Sequence, residues 1–332
     1  MIYYRPIAQT DAARPPEALP LAGGWCWFDR AEVLTRSGSR GLIAAKDIPT
    51  PVLGRLTAPR PPLADLTMER PRLMGIVNVT PDSFSDGGRF AAPEAALAQG
   101  LRLAQTADIL DIGGESTRPG AAEVPPEEEA ARTAPLIAAL RQAGLATPIS
   151  IDTRKAVVAQ AAIAAGASLL NDVAALTYDP ALGPLAAASG LPLCLMHAQG
   201  TPATMQADPR YENVLLDVYD WLAARIAVAE GLGLPRTRII VDPGIGFGKT
   251  VAHNLALIRG LSLFHGLGCA VLLGVSRKRF IGTLAQVPDT DRRGPGTIAL
   301  TLAGLTQGVQ IHRVHDTEEA RQALLLWQAA QG

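Results

Sequence analysis

The chain has 332 residues, 48% of them hydrophobic, with 30 basic and 31 acidic side chains and a net charge of −1. That length allows one large domain with an appendage, and the balanced charge argues against nonspecific binding to nucleic acid or to a membrane surface. No apolar run approaches the ~20 residues of a membrane span, and the N-terminus lacks the basic flank and apolar run of a secretory signal. Cys26, Cys194 and Cys269 are far apart and form no CxxC pair. The expectation is a cytoplasmic protein with reduced, structural thiols.

Residues 1–70 hold nine of the 26 prolines and differ in texture from the rest. Pro59-Arg60-Pro61-Pro62 reads as an extended linker. Before it, Trp25–Phe28 and Ala31–Leu34 suggest a short β-hairpin around Asp29-Arg30. The segment is expected to be an N-terminal extension without chemistry of its own, leaving 71–332 as the catalytic body.

From residue 71 onward, strand-like and helix-like segments alternate. Leu73–Val77 opens into Asn78 and a polar, Gly-rich stretch that ends at Gly87-Gly88. Ile109-Leu110 leads to Asp111, Ile149-Ser150-Ile151 to Asp152, and Leu169-Leu170 to Asn171-Asp172. Leu193–Met196 ends at His197, Ile239–Val241 at Asp242, Val271–Val275 at Ser276-Arg277-Lys278, and Val309-Gln310-Ile311 runs toward Arg313 and His315. Helical patterns fill the gaps over 92–106, 127–143, 155–165, 213–231, 254–261, 297–305 and 318–330. Gly144, Gly166 and Gly231 stand where a left-handed cap is wanted. Eight strand–helix units in the last 262 residues fit the ~250 residues of a (β/α)8 barrel, a TIM-barrel α/β fold. A doubly wound open sheet is the alternative, but it would gather polar residues at one switch point instead of at every strand end.

Gly244-Ile245-Gly246-Phe247-Gly248-Lys249-Thr250 imitates a phosphate loop. The GxxxxGK[ST] spacing needs glycine where Pro243 stands, and GxGxxG needs it where Lys249 stands, so both nucleotide readings fail.

The strand ends carry two kinds of chemistry. Asp111, Asp152, Asn171 and Asp242 offer paired acceptors for an amidine-like N–H edge, as a 2-amino-4-oxo pterin ring presents. The same acids could hold a metal, although they come from different strands without the close His or Cys spacing of a dedicated site. Asn78, Thr117, Arg118, Arg313 and His315 suit phosphate oxygens, and Asn78 could give one oxygen to a hydrated Mg2+. His197, His253, His265 and His312 read as structural or surface residues.

Several of these stretches resemble the dihydropteroate synthase family: Asn78–Gly88, Asp111–Gly120, Cys194–His197, Asp242–Lys249, Ser276–Lys278 and Arg313–Asp316. The similarity runs in family order over about residues 71–330. Departures are small, with Ala198 after His197 and Arg279-Phe280 after Lys278.

The resemblance implies condensation of 6-hydroxymethyl-7,8-dihydropterin diphosphate with p-aminobenzoate. It implies Asp111, Asp152, Lys278 and Arg313 in the reaction itself. Asp152, Asn171, Asp242 and Lys278 would bind pterin, while Asn78, Thr117, Arg118, Arg313 and His315 would bind diphosphate with its Mg2+. Phe84, Pro119 and Ser276 would form the p-aminobenzoate pocket, and Asp86 and Arg118 would lie on closing loops. A homodimer is implied as well. A pterin-binding methyltransferase and a non-catalytic pterin-binding paralogue are the alternatives; Thr117-Arg118, Arg313 and Ser276–Lys278 speak against the first, and the full set of loop residues against the second.

Overall fold

The computed structural model describes residues 1–79, 88–116, 123–200, 205 and 207–331, with residues 88–92 as backbone only. The N-terminal segment forms β1 (Tyr3–Pro6), β2 (Leu19–Pro20), β3 (Trp27–Phe28), β4 (Arg30–Thr35), β5 (Gly38–Ala44) and α1 (Thr50–Thr57). The expected hairpin around Asp29-Arg30 does not form. β4 lies between β1 and β5, and β3 pairs with β2 instead. A two-residue hairpin turn needs left-handed backbone. Neither Asp29 nor Arg30 has it; β4 instead turns back through Arg36-Ser37, with Gly38 at φ 117° supplying a left-handed residue directly after them.

This segment is seated on the rest of the chain. Tyr3 packs with Leu216 and Leu263, and Trp25 Nε1 donates to the Leu305 carbonyl at 2.8 Å. The Pro59–Pro62 stretch has no regular structure, but it is no free tether. Arg60 is buried and donates to the carbonyls of Arg55, Ala58, His265 and Cys269 at 2.9–3.0 Å. The rigid prolines on either side hold the backbone extended while the guanidinium fastens it.

The body contains β6 (Arg72–Asn78), β7 (Ile109–Gly113), β8 (Ile149–Asp152), β9 (Leu169–Asp172), β10 (Leu193–Met196), β11 (Ile239–Asp242), β12 (Ala270–Leu273) and β13 (Ile311–Val314). All pair in parallel with their chain neighbours, and β13 returns to β6, so the sheet is a closed barrel and not an open one. Around it run α2 (Gly88–Leu103), α3 (Pro126–Gln142), α4 (Ala156–Ala165), α5 (Leu182–Ser189), α6 (Val214–Gly231), α7 (Val251–Arg259), α8 (Arg279–Leu284), α9 (Gly294–Leu305) and α10 (Thr317–Gln331). After α6 the left-handed residue is Gly233, at φ 97°, and not Gly231, which is still helical.

The period of two along each strand sets what the barrel does. Leu110, Ile112, Leu170, Val241 and Leu273 face the helices and join the main core. Met74, Ile109, Leu169, Cys194, Ile240, Leu272 and Ile311 face inward and form an apolar layer, closed from below by Leu63 and Met68. Two residues further on, the same inward side presents Asp111 above Ile109, Asn171 above Leu169, Asp242 above Ile240 and Arg313 above Ile311. One face of one strand thus carries both the floor and the chemistry.

Candidate active site

Asp111, Asp152, Asn171 and Arg313 meet directly. Arg313 Nε donates to Asp111 Oδ2 at 2.5 Å, and its Nη2 donates to Asp152 Oδ2 at 2.7 Å. Asn171 Nδ2 donates to Asp111 Oδ2 at 3.1 Å, which also orients the Asn171 amide. Among the described residues, Asp111 Oδ1 and Asp152 Oδ1 are buried without a protein donor. Buried acceptors of this kind are uncommon and point to a ligand with N–H groups.

Burial pushes the Asp152 carboxyl up to about 7; Arg313 works against that shift, and the negative charge of Asp111 reinforces it. Burial opposes the charge on Arg313, but Asp111 and Asp152 outweigh it and hold the guanidinium more firmly protonated than usual.

The second half of the site faces this pair. Asp242 Oδ1 accepts the Gly244 N–H at 2.7 Å. Burial raises its pKa, with the Gly244 N–H and Lys278 opposing. A methyl group on Gly274 would lie 3.7 Å from Asp242 Oδ2, so the carboxylate rests against a residue with no side chain. The Lys278 ammonium stands 4.0 Å from the centre of the Phe247 ring, a cation–π distance. Burial pulls its pKa down to about 8, and the Asp242 charge resists.

Ser276 and His315 form a third contact. The Ser276 hydroxyl lies 2.9 Å from His315 Nδ1 and accepts the His315 backbone N–H at 3.1 Å. A residue expected at p-aminobenzoate therefore touches one expected at the diphosphate, in the segments that follow β12 and β13. Between them in sequence, Arg277 points away, donating to Asp316 Oδ2 at 3.0 Å and Asp291 Oδ1 at 2.6 Å. Asn78 is half-buried at the last position of β6, opposite Gly113. Phe84, Asp86, Thr117, Arg118 and Pro119 lie outside the described residues.

Two groups at this mouth escaped the sequence reading. Phe247 and Lys249 sit in the run dismissed as a false phosphate loop. A signal was present, because Gly244, Gly246 and Gly248 alternate and all three take positive φ, from 62° to 86°. Their spacing reports close backbone approach: a methyl group on Gly244 would come within 1.8 Å of the His197 carbonyl oxygen. His265 and His312 are buried, as structural histidines should be, and His253 caps α7 through Thr250.

The arrangement is a pocket floor of apolar residues, a wall of acidic and amide acceptors, and Arg313, Lys278 and His315 around them. Residues 74–315 match the model of a family described as pterin binding enzymes. The dihydropteroate synthase of Neisseria meningitidis serogroup C is 47% identical over 262 residues, which cover 78% of this chain and 92% of that protein. The Escherichia coli K12 dihydropteroate synthase is 42% identical over 258 residues, 77% of this chain and 90% of that one. Among solved structures, Xanthomonas albilineans dihydropteroate synthase with 4-aminobenzoic acid superposes with a TM-score of 0.76 at 47% identity, covering 80% of this chain and 95% of that chain. The same enzyme in complex with 7,8-dihydropteroate gives 0.73 at 45% identity. With the barrel, the acceptor wall and these likenesses in agreement, the chain belongs to the dihydropteroate synthase family of pterin-binding transferases.

Proposed function

We propose that the barrel mouth joins 6-hydroxymethyl-7,8-dihydropterin diphosphate to p-aminobenzoate, giving 7,8-dihydropteroate and pyrophosphate. The observation that carries this reading is the pair of donor-free oxygens, Asp111 Oδ1 and Asp152 Oδ1, beside Asn171 and facing Asp242. A 2-amino-4-oxo pterin has N–H groups for such carboxylates and acceptors for Asn171 and Lys278.

The methylene C–O bond breaks with its electron pair leaving on the diphosphate, and the dihydropterin ring delocalises the developing cation. Asp152 and Asp242 hold the ring and favour that charge. The lone pair of the neutral arylamine forms the new C–N bond, and the amine proton is then lost to solvent or to the leaving group. Arg313 and His315, with Thr117 and Arg118, stabilise the leaving oxyanions by fixed charges and donors. Phe84, Pro119 and Ser276 receive p-aminobenzoate. Asp86 and Arg118 belong to segments that exclude water.

Mg2+ suits Asn78 as one oxygen ligand. Such an ion would take one protein oxygen and arrive with the diphosphate, keeping waters in its remaining positions. Bound there, Mg2+ would neutralise diphosphate charge.

Two copies would pair through α9 and α10. Leu325 and Leu326 on α10 are 56% and 66% exposed, and α9 carries only apolar or small residues around its circumference, the composition of a covered helix. Leu325→Glu with Leu326→Glu should then yield a monomer by light scattering. A cytoplasmic location is supported by three cysteines that are all unpaired and buried; recovery in the periplasmic or extracellular fraction would overturn it.

The deciding experiment is pyrophosphate release by the purified protein, with pterin diphosphate, Mg2+ and p-aminobenzoate each omitted in turn. Release that requires the arylamine, with dihydropteroate formed, supports the reading. Pterin binding without arylamine-dependent release overturns it.

A further inference from the structure

The run Gly244–Thr250 ends in a lysine with an uncommon environment. Lys249 is buried, and its hydrogen-bond partners among the described residues are all neutral; burial pulls its pKa down to about 7, and the Asp242 charge resists. Its Nζ donates to the Phe247 carbonyl at 2.9 Å, and it lies 2.9 Å from His197 Nδ1 and 3.4 Å from the His197 carbonyl. His197 is itself buried, edge-on to Trp221 with centroids 4.9 Å apart. Burial first, and then the neighbouring Lys249 charge, keep its imidazole neutral, and in the Nε2–H tautomer Nδ1 accepts from Nζ. An ammonium buried on neutral acceptors is costly, and methionine would fill the same space.

Its three acceptors belong to two different pieces of chain, the end of β10 and the loop after β11. These pieces run in backbone contact. A methyl group on Gly248 would lie 2.5 Å from the Gln199 carbonyl oxygen, as one on Gly244 would collide with His197. Three left-handed glycines make that loop easy to bend. Asp242 holds the Gly244 N–H, Asn254 holds the Gly246 N–H, and Tyr211 holds the Gly248 carbonyl. Lys249 holds Phe247, the residue whose ring supports the Lys278 ammonium.

We infer that Lys249 is a positioning residue of the pterin site, tying Phe247 to His197 so that the Phe247 ring stays under the Lys278 ammonium. The inference rests on the pterin-site reading above. Lys249 itself touches no substrate; it acts through Phe247.

The test is calorimetric titration of pterin diphosphate with Mg2+ into the full chain carrying Lys249→Met, Phe247→Leu, both, or Asp242→Asn. Lys249→Met should weaken binding about tenfold while leaving the KM for p-aminobenzoate within about twofold. In the Phe247→Leu background the same change should matter less than about twofold, because the two residues act as one unit. Additive losses, or wild-type affinity in Lys249→Met, would overturn the inference. If Lys249→Met does not fold, His197→Phe replaces it; this keeps a ring on Trp221, removes the Nδ1 acceptor, and is read by the same cycle. Unchanged affinity in Asp242→Asn would sink the pterin-site reading itself. A weakened Asp242→Asn beside an unaffected Lys249→Met would sink only the role of Lys249.

Discussion

Arg313 and Asp152, 161 positions apart in sequence, share a hydrogen bond of 2.7 Å at the barrel mouth. The same guanidinium also binds Asp111, so one cation is divided between two buried carboxylates. Arg313→Ala would leave both carboxylates buried without their cation, Asp111 keeping the Asn171 amide. Breaking such a pair from one side costs about 3–5 kcal/mol. We therefore expect a clear fall in thermal midpoint together with a loss of at least about 100-fold in kcat/KM. Wild-type kinetics in Arg313→Ala would remove it from the site.

Asp152 also makes stability depend on pH. Its folded-state pKa is raised to about 7, by burial and by Asp111, above an unfolded value near ~3.9. The folded protein therefore binds the proton more tightly than the unfolded chain. The associated stability is fully present below pH ~4 and is lost as pH rises through about 7. Asp172 and Asp242, also raised by burial, slope the same way. Asp152→Asn isolates one contribution: its thermal midpoint should gain on the wild type as pH rises from ~5 to ~7.5. A constant difference across that range would show that Asp152 is ionised throughout. The same variant should bind pterin diphosphate more weakly in calorimetry.

How much of this was legible in the sequence follows from periodicity. The pairs Ile109/Asp111, Leu169/Asn171 and Ile240/Asp242 announce a strand with an apolar floor and a polar end, and eight such ends imply a closed barrel. The family-matching stretches lie at those ends, where function restricts the residue types. The N-terminal segment was harder to read. β4 offers two apolar neighbours in sequence, and only the backbone of Gly38 decides which turn forms. Arg60 stood in a stretch that reads as an extended linker, because its four acceptors are main-chain carbonyls that no side-chain pattern reveals. Lys249 was missed for a similar reason, since its partners are two carbonyls and an imidazole brought in by β10.

Arg60 gives a test of how the N-terminal segment is held. Burial pulls its pKa down to about 10, so it remains charged at neutral pH and donates to all four carbonyls. Arg60→Met would keep most of the volume and leave those carbonyls short of a donor, at about 1–3 kcal/mol for each one that stays buried. Amide exchange should quicken in α1 and in the 3-10 segment Leu261–Leu267, both of which Arg60 joins. Exchange in β7–β9 should stay slow, because Arg60 makes no contact there. Uniform acceleration over the whole chain would mean that the segment and the barrel unfold as one unit.

Lys155 sits outside the proposed substrate contacts, yet it joins the segments flanking Asp152. Its ammonium binds Glu129 Oε2 at 2.7 Å, the Val124 carbonyl at 2.6 Å and the Glu115 carboxylate. Glu115 also accepts the Val124 N–H at 2.9 Å and Arg154 Nη2 at 3.0 Å. The chain leaving β7 and the chain entering α3 are thus fastened to one cation at the start of α4. Burial opposes the Lys155 charge, but its hydrogen bonds to Glu115 and Glu129 outweigh it. Lys155→Met would strand Glu129, the more deeply buried of the two acids, and should cost about 3 kcal/mol or more. Adding Glu129→Leu removes the stranded charge and should recover part of that loss, because an apolar pair is often as stable as a buried ionic one. Glu115 keeps Arg154 in both variants, so recovery should be partial. A double variant less stable than Lys155→Met would show that Glu129 is held by contacts other than this lysine.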